Sequence, residues 1–194
     1  MFLLNSIFKM DRIIFTAINH GLVNPFFDKL MPFLTYIGNA AALWLLIGVI
    51  IFMFGGKKGR NVAILVVLAV ILSDLTTEIF LKNLFMRPRP FISMNSVRLL
   101  VAKPASFSFP SGHAAVSLAA GLILSKNYKK YTWIFMLLAL GVAFSRIYVG
   151  VHYPIDVIAG ALIGCTIAFL IIKYQRKIEI GMDELREKYL LRQK

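Results

Sequence analysis

Apolar residues run through this chain in long blocks separated by short basic interruptions. Residues 30–56 hold no charge and end at Gly55-Gly56-Lys57-Lys58. Residues 61–81 form a second block, interrupted by Asp74 and Glu78. Blocks 111–125 and 131–145 are shorter, and 153–172 is the last. A helix needs about 20 mostly apolar residues to cross about 30 Å of hydrocarbon, so these five blocks predict membrane spans. Residues 2–22 are apolar but carry Lys9, Asp11 and Arg12; they form either a sixth span or a helix lying in the interface. The charges interrupt the run and no small-residue cleavage site follows, so a secretory signal peptide does not fit. Six spans put both termini on one side. The expected fold is all-α, a polytopic transmembrane helix bundle of about six helices. It forms one domain over residues 1–194, with 1–29 as the N-terminal interfacial or first transmembrane helix and 173–194 as a charged cytoplasmic tail. Pro32 and Gly38 predict a bend early in the 30–56 span. Gly160 and Gly164 predict close helix packing.

Composition agrees with the membrane reading. Of 194 residues, 59% are hydrophobic and 16% charged, too apolar for a soluble or disordered chain. A single cysteine, Cys165, excludes an internal disulfide and a Cys-rich metal site. Lys+Arg 22 against Asp+Glu 9 gives +13. The basic residues sit between apolar runs rather than along a stripe, which argues against nucleic acid. Loops 55–60 and 126–130 carry three basic residues each. Alternation puts both loops and the tail on one face, which the positive-inside rule makes cytoplasmic. The other, extracytoplasmic face holds residues 82–110 and 146–152. The 82–110 loop has five cations and no acidic residue, so a bound polyanion is expected there. Fifteen-residue spans reach only about 22 Å, so chemistry at their outer ends would meet a lipid headgroup.

Three clusters lie on that face. Lys82 through Arg87-Pro88-Arg89-Pro90 combines a point charge with planar guanidinium forks that fit phosphate oxygens. Pro110-Ser111-Gly112-His113 precedes an apolar run and reads as a helix start. There Ser111 can cap, free N–H groups can hold an anion, Gly112 admits close approach, and His113 can deliver a proton. In Ser145-Arg146…His152-Tyr153-Pro154-Ile155-Asp156, one helical turn sets the Asp156 carboxylate beside the His152 imidazole. That pairing makes the second ring nitrogen a better nucleophile or base, and Arg146 adds a fork for an oxyanion. Separately, each cluster has a plain structural reading: a basic membrane boundary, an ordinary helix cap, a His–Asp contact. Span alternation brings all three to one face, and together they read as a phosphate site containing a nucleophile. Asp74 and Glu78 share a stripe with Lys82 and serve either the phosphate site from behind or helix packing alone.

The order K-x6-R-P, P-S-G-H, S-R-x5-H-x3-D over residues 82–156 resembles the type 2 phosphatidic acid phosphatase superfamily of integral-membrane lipid phosphatases. In length and short loops the chain resembles its compact bacterial members, phosphatidylglycerophosphatase B and undecaprenyl pyrophosphate phosphatases. The resemblance implies a metal-independent, cofactor-free hydrolase in which His152 attacks phosphorus to form a phosphohistidine, Asp156 supports it and His113 protonates the leaving oxygen. Lys82, Arg89, Arg146, Ser111 and Gly112 then hold the phosphoryl oxygens, with Glu78 and Arg87 behind them. The implied partner is a phospholipid or polyprenyl phosphate in the bilayer. The first expectation is phosphatidylglycerophosphate, converted to phosphatidylglycerol and phosphate, with undecaprenyl pyrophosphate as the alternative. A non-enzymatic anion transporter would want inverted repeats and broken helices at mid-membrane, whereas no repeat is visible and the charges cluster at one surface.

Overall fold

The computed structural model describes residues 2–191, and all regular structure among them is helical. Residues 192–194 of the expected tail lie outside the described residues. The order is α1 (Phe2–Gly21), α2 (Pro25–Gly38), α3 (Ala42–Phe54), α4 (Gly56–Asp74), a π-helical segment (Leu75–Leu81), α5 (Lys82–Phe85), α6 (Pro90–Ser93), α7 (Gly112–Asn127), α8 (Thr132–Tyr148) and α9 (Pro154–Leu191). Short 3₁₀ turns at Asn39–Ala41 and Lys129–Tyr131 lead into α3 and α8.

Helix α7 is the centre, with α3, α4, α8 and α9 packed around it. Water does not drive helices together inside a bilayer, so close approach of small side chains must do so. Ala114, Ala115, Ala119 and Ala120 of α7 are all fully buried. Gly160 and Gly164 of α9 lie against the Ser111 and Ala115 carbonyls; a Cβ on either glycine would stand 2.2 Å from the oxygen. The small-residue pattern thus serves packing within the bundle. Trp44 fills the α3–α7 seam, and its indole Nε1 donates to Ser117 Oγ at 3.0 Å. Large apolar residues such as Leu46, Met53, Leu137, Leu162 and Phe169 point outward, as lipid-facing positions should.

Three helical stretches, Gly56–Ser93, Lys129–Tyr148 and Pro154–Tyr189, are long and apolar enough to cross a membrane. The expected single span over 30–56 is instead two helices, α2 and α3, bent by 61°. Pro32 stays inside α2, and the break falls at Gly38–Ala42, where Ala41 takes a left-handed φ of 59°. The tail continues α9 without interruption and ties back through Lys57–Asp183 at 2.9 Å and Gln175–Asn127 at 2.9 Å. Both basic loops and the tail therefore share one end of the bundle.

The opposite end receives α1 and α2. The buried stripe of α1 is Asp11, Phe15 and Asn19. Asn19 Nδ2 donates to the carbonyls of Arg98 and Tyr148 at 2.9 and 2.8 Å, and His20 bonds the Ser96 carbonyl at 2.9 Å. In α2, Asn24 caps the helix by accepting from Phe27 N at 2.9 Å, and Asp28 accepts from Tyr148 Oη at 2.6 Å.

Candidate active site

All three sequence clusters meet at the end of the bundle opposite the basic loops. Lys82 opens α5 above the π-helical segment, a wide-turn geometry frequent at functional sites. Arg89 precedes Pro90 at the start of α6, Gly112 and His113 begin α7, and Arg146 lies in the last turn of α8. His152 sits in the α8–α9 connection, and Asp156 is in the first turn of α9. A cavity of about 710 Å³ is walled by Lys82, Arg89, Arg146, His113, His152 and Gly112. The stripe Asp74, Glu78, Lys82 lines it as the four-residue spacing predicts. Its mouth is flanked by Tyr36, Ile71 and Leu75, which line it while exposed to the bundle's surroundings.

The cations are buried and held. Lys82, Arg89 and Arg146 are no more than 4% exposed. Lys82 Nζ donates to Glu78 Oε1 at 2.6 Å and Ser106 Oγ at 3.0 Å. Arg89 donates from Nε to the Ser106 carbonyl at 2.6 Å and from Nη1 to the Val151 carbonyl at 2.9 Å. Among the described residues, no carboxylate pairs with Arg89 or Arg146, and Arg146 Nε is buried without a hydrogen-bond partner. Buried donors without partners are rare in folded proteins, and a tetrahedral oxyanion in the cavity would supply acceptors for these.

His152 is held at Nε2 and faces Asp156 with Nδ1, which is buried without a hydrogen-bond partner. Its Nε2 lies 3.2 Å from Arg89 Nη1. Guanidinium only donates, so Nε2 is the acceptor and the neutral ring carries its proton on Nδ1. Nδ1 faces Asp156 Oδ2 at 3.6 Å, a gap typical of catalytic pairs that tighten on substrate binding. Burial, then the charges of Arg89, Arg146 and Lys82, hold the His152 pKa well below its ordinary value. The ring is therefore neutral, and its Nε2 lone pair accepts from Arg89 Nη1, a donor that an incoming phosphate would draw away. Asp156 accepts from Tyr153 N at 2.9 Å, Ser108 Oγ at 2.5 Å and Arg87 Nη1 at 2.5 Å. His113 Nε2 bonds Asn39 Oδ1 at 2.9 Å, which fixes that ring as well.

Ser111, expected among the phosphate ligands, stands behind the cavity, and Arg87 stands behind it as expected. Ser111 is fully buried and caps α7, its Oγ 3.5 Å from Ala114 N. Arg87 sits behind Asp156 and also pairs with Asp11 at 2.6 Å. Glu78 pairs with Lys82, not with an arginine. The acidic balance that the 82–110 loop lacks comes partly from elsewhere: Asp11 and Asp156 on Arg87, and Asp28 on Arg98. Sequence reasoning missed Asn39, Ser106, Ser108 and Asp11. A polar residue just after Gly38 in an uncharged run, and serines alternating ahead of Pro110, were the signals present.

Comparison with known proteins gives the family. The PAP2 superfamily model matches residues 62–180. An undecaprenyl-diphosphatase of Sulfolobus acidocaldarius is 33% identical over 163 residues, 84% of this chain and 77% of that protein. The undecaprenyl-diphosphatase BcrC of Bacillus subtilis is 32% identical over 176 residues, 90% of this chain and 89% of that protein. Among solved structures, the transmembrane PAP2-type phosphatidylglycerolphosphate phosphatase of Bacillus subtilis superposes with a TM-score of 0.73 at 27% identity, covering 90% of this chain and 88% of that one. Motif order, convergent geometry and these matches place the chain in the PAP2 superfamily, as a multi-pass membrane lipid phosphatase.

Proposed function

We propose that the chain hydrolyses a terminal phosphate from a lipid through a phosphohistidine, without a metal, and that its substrate is a polyprenyl diphosphate. The observation that carries the reaction is the set of three buried cations around His152, two of which lack a carboxylate partner. His152 Nε2 attacks phosphorus, forming the N–P bond as the bond to the leaving lipid oxygen breaks. His113 protonates that oxygen. Water then attacks the phosphohistidine, breaks the N–P bond and releases inorganic phosphate, with His113 taking the proton. Lys82, Arg89, Arg146 and the N–H groups opening α7 neutralise the charge on the equatorial oxygens, where most phosphoryl-transfer catalysis originates.

The relatives support the choice of lipid. Two proteins named undecaprenyl-diphosphatase match nearly the whole chain at 32–33% identity, whereas the phosphatidylglycerolphosphate phosphatase matches at 27%. This moves a polyprenyl diphosphate ahead of phosphatidylglycerophosphate, the first expectation from sequence. The apolar flank of the cavity, Val70, Ile71 and Leu75, suits the chain next to the phosphate. The site opens on the extracytoplasmic face in this reading, because Lys57, Lys58 and Arg60 gather at the other end beside the tail.

The test is phosphate release by purified protein in detergent with EDTA, comparing undecaprenyl diphosphate, phosphatidylglycerophosphate and phosphatidic acid. Turnover in EDTA with the highest kcat/KM on undecaprenyl diphosphate is expected. A higher value on phosphatidylglycerophosphate overturns the lipid, and loss of turnover in EDTA overturns the mechanism.

Glu78 gives a second measurable consequence. Its carboxylate holds Lys82 and lies against Gly112, where a Cβ would come within 2.5 Å of Oε1. It therefore sits beside the helix start that receives the oxyanion, and repels it. Glu78→Gln keeps the shape and removes the charge. The inhibition constant for orthovanadate, a phosphoryl mimic, should fall about fivefold to tenfold. A weaker vanadate inhibition in the variant would show that Glu78 assists binding instead.

A further inference from the structure

A charge buried against an apolar bundle demands an account. Asp11 lies between Lys9 and Arg12 of α1, which are exposed, yet its own side chain is fully buried against the bundle. Each of its oxygens has one partner. Oδ2 accepts from Arg87 Nη2 at 2.6 Å, and Oδ1 accepts from the backbone N–H of Ile155 at 2.9 Å. The other arm of the same guanidinium, Nη1, reaches Asp156 Oδ1 at 2.5 Å. The guanidinium is sandwiched as well, 4.1 Å from the Tyr153 ring centroid and 5.4 Å from that of Phe8. Arg87 is thus clamped between two buried carboxylates and two aromatic faces. Asp11 also grips the first turn of α9, one residue before Asp156.

We propose that Asp11 is a positioning residue for the phosphatase reaction: through Arg87 and the Ile155 N–H it fixes the Asp156 carboxylate that orients His152. This inference rests on His152 being the nucleophile. Arg87 has a free choice of rotamers unless something holds its far arm, and Asp11 does so. Asp156 is then pulled at Oδ1 by a guanidinium that cannot swing, which leaves Oδ2 aimed at His152 Nδ1, Ser108 and Tyr153 N. A positive charge shared by two carboxylates also neutralises Asp156 less than one held by Asp156 alone, so more of its charge acts on the imidazole. An N-terminal helix that supplies no group to the cavity thereby sets the geometry of the nucleophile.

Asp11→Asn isolates this role. The asparagine oxygen can still accept from Ile155, so the α1–α9 joint survives, while the amide nitrogen cannot accept from Arg87. On the lipids above, kcat should fall about 10-fold to 100-fold with KM within about twofold, the size expected when a catalytic group is misplaced without touching substrate. Asp11→Glu, which keeps the carboxylate, should recover most of that loss. Arg87→Lys, which can hold only one carboxylate, should reproduce it, and adding Asp11→Asn to Arg87→Lys should change kcat less than about twofold. A folded Asp11→Asn protein with wild-type kcat overturns the proposal, and so do losses that multiply in the double variant. Where Asp11→Asn does not yield a monodisperse protein, Arg87→Lys decides alone: unchanged kcat overturns it. The wild-type ranking of lipids judges the substrate separately, because the variant ratios are read on whichever lipid is cleaved. Turnover retained by His152→Ala would sink the nucleophile, and this inference with it.

Discussion

Replacing His152 by alanine should lower phosphate release by at least about 10⁴-fold, the scale seen when a nucleophile of a coupled catalytic group is removed. The other imidazoles are engaged differently: His113, the proposed acid, bonds Asn39, and His20 bonds the Ser96 carbonyl. Asp156→Asn should cost less, about 10²-fold to 10⁴-fold, because it removes orientation and charge from the imidazole but not the attacking nitrogen. Rapid quench of wild type in alkaline detergent, with substrate labelled in the terminal phosphate, should trap label on protein that is stable to base and labile to acid. The His152→Ala protein should trap none. Label on that variant, or turnover within about tenfold of wild type, would remove His152 from the chemistry.

The second large effect lies away from the reacting atoms. At Gly160 an added Cβ would stand 2.2 Å from the Ser111 carbonyl oxygen and 3.1 Å from its carbon. Backbone cannot yield as a flexible side chain does, so Gly160→Ala must part α7 from α9. That seam carries the Ser111 N–H to Asp156 carbonyl bond at 2.9 Å, which joins the start of α7 to the turn holding Asp156. Overpacking of this kind costs about 1–3 kcal/mol, and a shift of about 1 Å between catalytic groups can cost about 10²-fold in rate. Gly160→Ala should therefore lower both thermal stability in detergent and kcat. Gly164→Ala meets the Ala115 carbonyl oxygen at the same 2.2 Å but lies a turn further from Asp156. It should lower stability comparably with a smaller loss of kcat. Gly181→Ala, with nothing within 4 Å, is the neutral control. Wild-type stability and rate in Gly160→Ala would show that the α7–α9 seam is looser than its geometry.

Much of this molecule is written locally. The apolar blocks specify helices because a lipid-embedded backbone must satisfy its own hydrogen bonds. Span alternation was enough to bring Lys82, Arg89, His113, Arg146, His152 and Asp156 to one end, as the cavity wall and the His152–Asp156 pair bear out. The four-residue spacings brought Glu78 against Lys82 and Asp156 beside His152, the first along a π-helical turn and the second across the start of α9.

What the sequence could not decide lies in contacts between distant segments. No periodicity links Asp11 to Arg87, Asp28 to Tyr148 or Asn39 to His113, pairs separated by 76, 120 and 74 positions. The acids that balance the 82–110 loop are invisible within it because they arrive on α1, α2 and α9. The break between α2 and α3 falls at Gly38, one of the two residues expected to bend this span, and not at Pro32, because a proline can sit inside a helix whose neighbours re-satisfy its backbone. The left-handed turn at Ala41 depends instead on packing. Sequence by itself determined the all-helical class and which residues line one cavity at one end of the bundle, since these follow from local hydrophobicity and spacing. Tertiary structure alone decided which side chains hold those residues in place, since a buried charge finds its partner through three-dimensional proximity that no local pattern encodes.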